Sequence, residues 1–223
     1  MSKLTLISSP ACPYGQRVAI ALHEKHAEFN VISVDLDNRP GWFVAVSPLG
    51  TVPLLRIERE GEPPAVIFES ASILEYIEET LPGEKLHPAD PVQRAQHRGW
   101  IAFSDHVLAD LHRFAMARGP AVDEVRASLV AKLRRLESEA GEGSYFAGPR
   151  FSLVDVAFAP VFRRIEALDS VSPTCLFDGL PRLEQWRRAV AARESVRAAA
   201  PENFSELYLD RLRKLHAEVL KAA

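Results

Sequence analysis

At 223 residues the chain is long for one average domain and comfortable for two. Its 47% hydrophobic and 26% charged content suits a globular protein with a buried core, and a net charge of −3 gives no footprint for nucleic acid or an anionic membrane surface. The two cysteines lie far apart and make no disulfide framework, no Cys/His cluster has metal-ligand spacing, and no apolar run approaches the roughly 18 residues of a membrane span. The opening Met1-Ser2-Lys3-Leu4-Thr5-Leu6-Ile7 is too short for a signal h-region. The expectation is a cytoplasmic protein with reduced thiols, without metal, nucleic acid or membrane among its partners.

Leu4-Thr5-Leu6-Ile7 reads as a strand, and it hands over to Ser9-Pro10-Ala11-Cys12-Pro13-Tyr14-Gly15-Gln16-Arg17. Arg17 to His26 reads as a helix with Val18, Ile20, Ala21 and Leu22 on its apolar side. A thiol just before a helix faces open backbone N–H groups and the positive end of the helix dipole. Both favour the thiolate, which is the nucleophilic form. Pro13 suits the first helical position, where its missing N–H is no loss. The plainer alternative for Cys12 is a small buried hydrophobe, as most free cysteines are.

Glu28 to Val34 alternates with period two and predicts a second strand. Asn38-Arg39-Pro40-Gly41-Trp42-Phe43 leaves room for a brief helix. Pro53 to Ile57 and Ala65 to Phe68 predict two more strands, joined by a polar, turn-rich connector that suits a hairpin. Ser70 opens a helix with Ile73, Leu74 and Ile77 on one side, ending before Pro82-Gly83. The first unit, βαβ, wants a parallel pair and the second, ββα, an antiparallel one. Pro82, Gly83, Pro88 and Pro91 mark a linker. Beyond it Gln93–Ala117, Val122–Ala140, Leu153–Leu168, Leu183–Ala191 and Phe204–Leu220 read as helices, with no strand among them. The organisation is therefore an α/β domain over residues 1–80, a linker over 81–91 and an all-α domain over 92–223.

Three sites in the first domain carry chemistry together. Cys12 is the first. The second is Val52-Pro53, at the start of a strand and after the Gly50 turn. If that bond is cis, the Val52 N–H and C=O are open to an extended ligand; a trans bond in a plain turn is the commoner local outcome. The third is Glu69-Ser70. Ser70 is a natural N-cap, and a helix start with a hydroxyl and open N–H groups suits a carboxylate, while Glu69 suits an ammonium. Simple capping by Ser70 beside a solvated Glu69 is the structural alternative.

Ser9-Pro10-x-Cys12-Pro13-Tyr14-x-x-Arg17, Val52-Pro53 and Glu69-Ser70 before an amphipathic helix resemble the cytosolic glutathione transferases, most closely the cysteine-type, omega-like and dehydroascorbate-reductase-like branch. The resemblance spans nearly the whole chain. It implies a thioredoxin-like N-terminal domain of order βαβαββα, an all-α C-terminal domain contributing the second-substrate pocket, glutathione as co-substrate, and a homodimer. By position it implies that Cys12 meets the glutathione sulfur, the Val52 backbone pairs with the cysteinyl part, Pro53 is cis, and Glu69 and Ser70 hold the γ-glutamyl head. Arg39 falls where omega-like enzymes carry a lysine near the glycine carboxylate, and a guanidinium keeps that charge; a solvated loop charge is the alternative. Tyr14 and His106 are candidates for the second-substrate pocket.

Phe151-Ser152-Leu153-Val154-Asp155 carries a capping box, with Asp155 placed to reach back to the Ser152 N–H. Trp42, Trp100 and Trp186 lie in helix-like stretches and read as packing residues, and Cys175 as a bystander thiol in a loop. The leading functional reading is a glutathione-dependent thiol transferase or reductase acting on a disulfide substrate. Position 15 is Gly, so there is no Cys-x-x-Cys, and glutathione must supply the resolving thiol. The second reading is conjugation of glutathione to a small electrophile, with Ser9 or Cys12 stabilising its thiolate. The third is a non-catalytic binding module of the same fold.

Overall fold

The computed structural model describes residues 2–217. Its first half contains β1 (Lys3–Ser8), α1 (Pro13–Glu24), β2 (Phe29–Ser33), α2 (Gly41–Val46), β3 (Leu54–Glu58), β4 (Ala65–Phe68) and α3 (Ser70–Thr80). The helices α4 (Pro91–Met116), α5 (Ala121–Glu139), α6 (Leu153–Asp169), α7 (Pro181–Ala192), α8 (Glu194–Ala198) and α9 (Phe204–Lys214) follow. The last predicted helix, carried to Leu220, and the tail to Ala223 run past the described residues.

The four strands form one sheet in the order β2-β1-β3-β4. β1 runs parallel to β2, as a βαβ unit requires, and β3 pairs antiparallel with both β1 and β4. Leu4, Leu6 and Ile7 of β1 are buried with Val18, Ile20, Ala21 and Leu22 of α1 and Ile73, Leu74 and Ile77 of α3. The strand predicted at 28–34 forms, but on the sheet's edge, where Val31 is 60% exposed. Trp42 is 47% exposed, contrary to its reading as a packing residue.

Two compact units emerge. One runs through Leu86 and also takes in Glu194–Pro201; the other takes His87–Arg193 and resumes at Glu202. The short α8, which lies between two predicted helices and was not itself expected, packs on α1 in the first unit. There the Ser195 hydroxyl donates to the Glu24 carboxylate. The far end of α1 is held by a buried ion pair, Lys25 Nζ to Glu78 at 2.7 Å, and Lys25 also donates to the Glu84 carbonyl at 2.6 Å.

In the second unit α6 is the central element, in contact with α4, α7 and α9. Its start is the predicted capping box. The Asp155 carboxylate accepts from the Ser152 N–H (2.8 Å) and hydroxyl (2.7 Å), and also from the Phe146 N–H (2.9 Å) and Trp186 Nε1 (2.6 Å). Burial pushes the Asp155 carboxyl above its ordinary range, against the pull of those hydrogen bonds. Trp186 is 2% exposed among Phe146, Phe158 and Phe162.

Candidate active site

The sheet register explains how residues so distant in sequence meet. Ile7, near the end of β1, lies opposite Leu54 at the start of β3, and Leu54 lies opposite Phe68 at the end of β4. One step further along each strand come Ser8, Pro53 and Glu69. Cys12, Val52-Pro53 and Glu69-Ser70 therefore share one end of the sheet.

Cys12 is the N-cap of α1, with extended backbone, and Pro13 takes the first helical position as expected. Its sulfur accepts from the Gly15 N–H at 3.4 Å and donates to the Val52 carbonyl at 3.7 Å. The first contact favours the thiolate and the second the thiol. Cys12 is 9% exposed and packs with Ile7, Val34, Phe43, Val52 and Leu54, so both readings of this residue find support. Tyr14 lies partly buried against the same cluster, with the Arg17 guanidinium 4.9 Å from its ring centroid. Arg17 itself is 1% exposed, which no local pattern announced.

The Val52-Pro53 bond is cis, as the resemblance implies and against the local expectation. The turn before it is tied by Ser47, whose hydroxyl accepts from the Thr51 N–H and donates to the Thr51 carbonyl, both at 3.0 Å. Gly50 sits in this turn at φ +62°, and a Cβ there would come within 3.2 Å of Arg39 Nη1. Arg39 thus lies over the turn that delivers Val52, with its side chain exposed.

Ser70 is not the N-cap that its sequence context predicts. Glu69 takes that position at φ +65°, and Ser70 is the first helical residue, 7% exposed. α3 receives no side-chain capping hydrogen bond from Glu69. Its first-turn N–H groups lack the acceptor that a Ser or Asp cap provides. Glu69 is exposed beside them.

Ser9 is partly buried, and its carbonyl accepts from the Cys12 N–H at 3.0 Å. His106 is exposed on α4 in the second unit, and Cys175 is exposed in a loop. Among the described residues no three His, Cys, Asp or Glu side chains form a metal-binding group, and no helix is long and apolar enough to cross a membrane.

Residues 11–80 match the family model for the glutathione S-transferase N-terminal domain, and residues 119–189 that for the glutathione S-transferase C-terminal domain. Glutathione S-transferase omega-1 of Sus scrofa is 32% identical over 206 residues, 89% of this chain and 83% of that protein. Among solved structures, glutathione transferase Omega 2C from Trametes versicolor is similar with a TM-score of 0.83 at 25% identity, covering 96% of this chain and 100% of that one. Rice GST1 in complex with glutathione is similar with a TM-score of 0.82 at 26% identity, over 96% and 97% of the two chains.

Proposed function

The chain belongs to the glutathione S-transferase family, and from that premise we propose that it is a glutathione-dependent thiol transferase or reductase working through Cys12. The observation that carries the reading is the sulfur of Cys12 at the start of α1, with the Gly15 N–H on it and the Val52 backbone beside it. The Cys12 thiolate attacks the glutathione sulfur of a mixed disulfide. The Cys12–glutathione disulfide forms, the old S–S bond breaks, and the substrate leaves as a thiolate that takes a proton from solvent. A second glutathione thiolate attacks the glutathione sulfur of this intermediate, releasing oxidised glutathione and restoring the Cys12 thiolate.

In this reading the Val52 backbone pairs with the cysteinyl part of glutathione. Ser70 and the uncapped first turn of α3 take the γ-glutamyl carboxylate, Glu69 its ammonium, and Arg39 the glycine carboxylate. The second substrate is a small disulfide or electrophile, and Tyr14 and His106 are the residues proposed for it. The assembly is a homodimer, which sedimentation tests, and the working compartment is the cytoplasm.

One observation favours the conjugating reading: Cys12 is buried in an apolar cluster, which disfavours the thiolate. Cys12→Ser separates the two. It abolishes glutathione-dependent reduction of a mixed disulfide or of dehydroascorbate, and it leaves conjugation to an aryl halide intact or raised. Wild-type protein should be retained on immobilised glutathione, and on incubation with oxidised glutathione its Cys12 thiolate should open that disulfide, releasing one glutathione thiolate and leaving a glutathione adduct on Cys12 visible by mass spectrometry. A Cys12→Ser protein that reduces mixed disulfides as fast as wild type refutes the proposal, and absence of both retention and adduct favours a binding module.

A further inference from the structure

Gly15 stands at the third position of α1, where glycine costs about 1 kcal/mol relative to alanine. The packing supplies a reason. A Cβ at position 15 would fall 1.8 Å from the hydroxyl oxygen of Ser8 and 2.9 Å from its Cβ. Both are closer than real side chains approach. Ser8 ends β1 and is buried, and it has little freedom to withdraw: it pairs with Ser33 in the sheet, and its carbonyl accepts from the Val34 N–H at 2.8 Å. Its hydroxyl makes a long hydrogen bond, 3.4 Å, to the Ser9 carbonyl. The Ser8 side chain thus fills the volume that a residue-15 side chain would need.

We propose that Ser8 and Gly15 are a matched pair of positioning residues for the Cys12 sulfur. The missing side chain at 15 lets Ser8 seat the first turn of α1 on the end of β1, and that seat delivers the Gly15 N–H to Cys12 Sγ at 3.4 Å. The same contact closes position 15 to a second thiol, because a cysteine there meets Ser8 first. The single-thiol character of the site is then a property of the packing as well as of the sequence. This inference rests on the reading of Cys12 as a reactive thiol.

The test compares wild type with Gly15→Ala, Ser8→Ala and the double variant Ser8→Ala/Gly15→Ala. The readout is the rate at which iodoacetamide alkylates Cys12 as a function of pH, followed on the Cys12 peptide by mass spectrometry, which keeps the exposed Cys175 out of the signal. A hydrogen bond to a charged group is worth enough that losing it should cut the thiolate population about tenfold at fixed pH. Gly15→Ala is expected to slow alkylation near neutrality by that factor and to move the inflection of the profile upward. The double variant loses the 1.8 Å contact and keeps only the 2.9 Å approach of the two Cβ atoms, which a small shift of the turn relieves, so it recovers part of the loss.

A Gly15→Ala profile that superimposes on wild type overturns the inference, as does a double variant no faster than Gly15→Ala. If Gly15→Ala does not fold, the double variant is compared with Ser8→Ala. It should fall within a few-fold of that variant, because the 1.8 Å contact with the hydroxyl is gone, and a tenfold slower double variant overturns the inference. No glutathione enters this assay. Failure of the proposed function appears instead as a wild-type protein without the Cys12–glutathione adduct, whatever the variants do.

Discussion

Replacing Asp155 by Ala removes one carboxylate and leaves four donors behind: the Phe146 and Ser152 N–H groups, the Ser152 hydroxyl and the Trp186 indole N–H. The hydroxyl can rotate to a new acceptor, but the three N–H groups point into a site where Asp155 is fully buried. A stranded buried donor costs roughly 1–3 kcal/mol, and partial relaxation brings the expected total to about 4 kcal/mol. Asp155→Asn is the graded control. Its one oxygen can keep the pair that Oδ1 serves, Phe146 and Trp186, while its amide nitrogen opposes the Ser152 N–H that Oδ2 accepted, so about 2 kcal/mol is expected. Ser152→Ala removes the cap and one of the four donors on the carboxylate, while leaving no donor stranded, and should cost about 1–2 kcal/mol. Urea denaturation at pH 7, followed by far-UV circular dichroism, gives the three values. An Asp155→Ala protein within about 1 kcal/mol of wild type, or an order in which Ser152→Ala costs most, refutes this account of the network.

Two further outcomes follow from residues away from that network. His97 is held below its ordinary value of 6.5 by burial and then by His87, and His23 by burial against the opposite pull of Glu194 and Glu24. The unfolded chain therefore binds more protons, so the stability these histidines contribute is intact above pH 6.5 and is lost as pH falls through the depressed values. Melting temperature should drop between pH 7 and 5, and less steeply in His97→Gln; an identical slope refutes the assignment. At the proposed glutathione site, Ser70→Ala should weaken glutathione binding about tenfold in calorimetric titration without moving the melting temperature, and an unchanged affinity removes Ser70 from the site.

Much of this was legible in the sequence because the signals are local. Short apolar runs marked three of the strands and a period-two run over Glu28–Val34 the fourth, and the βαβ and ββα order carried the parallel and antiparallel pairings. Cys12-Pro13 announced a capped helix start through residue chemistry alone. Other features depend on contacts between distant segments. Nothing near Ser70 shows that Glu69 takes a left-handed conformation and displaces it from the cap. Trp42 lies beside the fully buried Phe43 on a six-residue helix too short for its periodicity to tell inside from outside. The burial of Arg17 and the seat of Gly15 against Ser8 belong to the packing of α1 on the sheet. Gly15 did leave one trace, as a residue of poor helix propensity inside a first turn.

The membership of Glu194–Pro201 in the thiol-bearing unit has a consequence for how that unit is made. Its sheet, α1 and α3 are complete in the chain by Leu86, yet the piece that covers part of α1 is synthesised more than a hundred residues later. During translation the first unit therefore leaves the ribosome with that face of α1 uncovered, and it closes only after the helical segments have emerged. Loop-closure entropy grows slowly with length, so the delay is mainly one of time exposed, not of final stability. A nascent chain arrested before residue 194 should present the α1 face around His23 and Glu24 to a chaperone, and the same chain released past residue 201 should hide it.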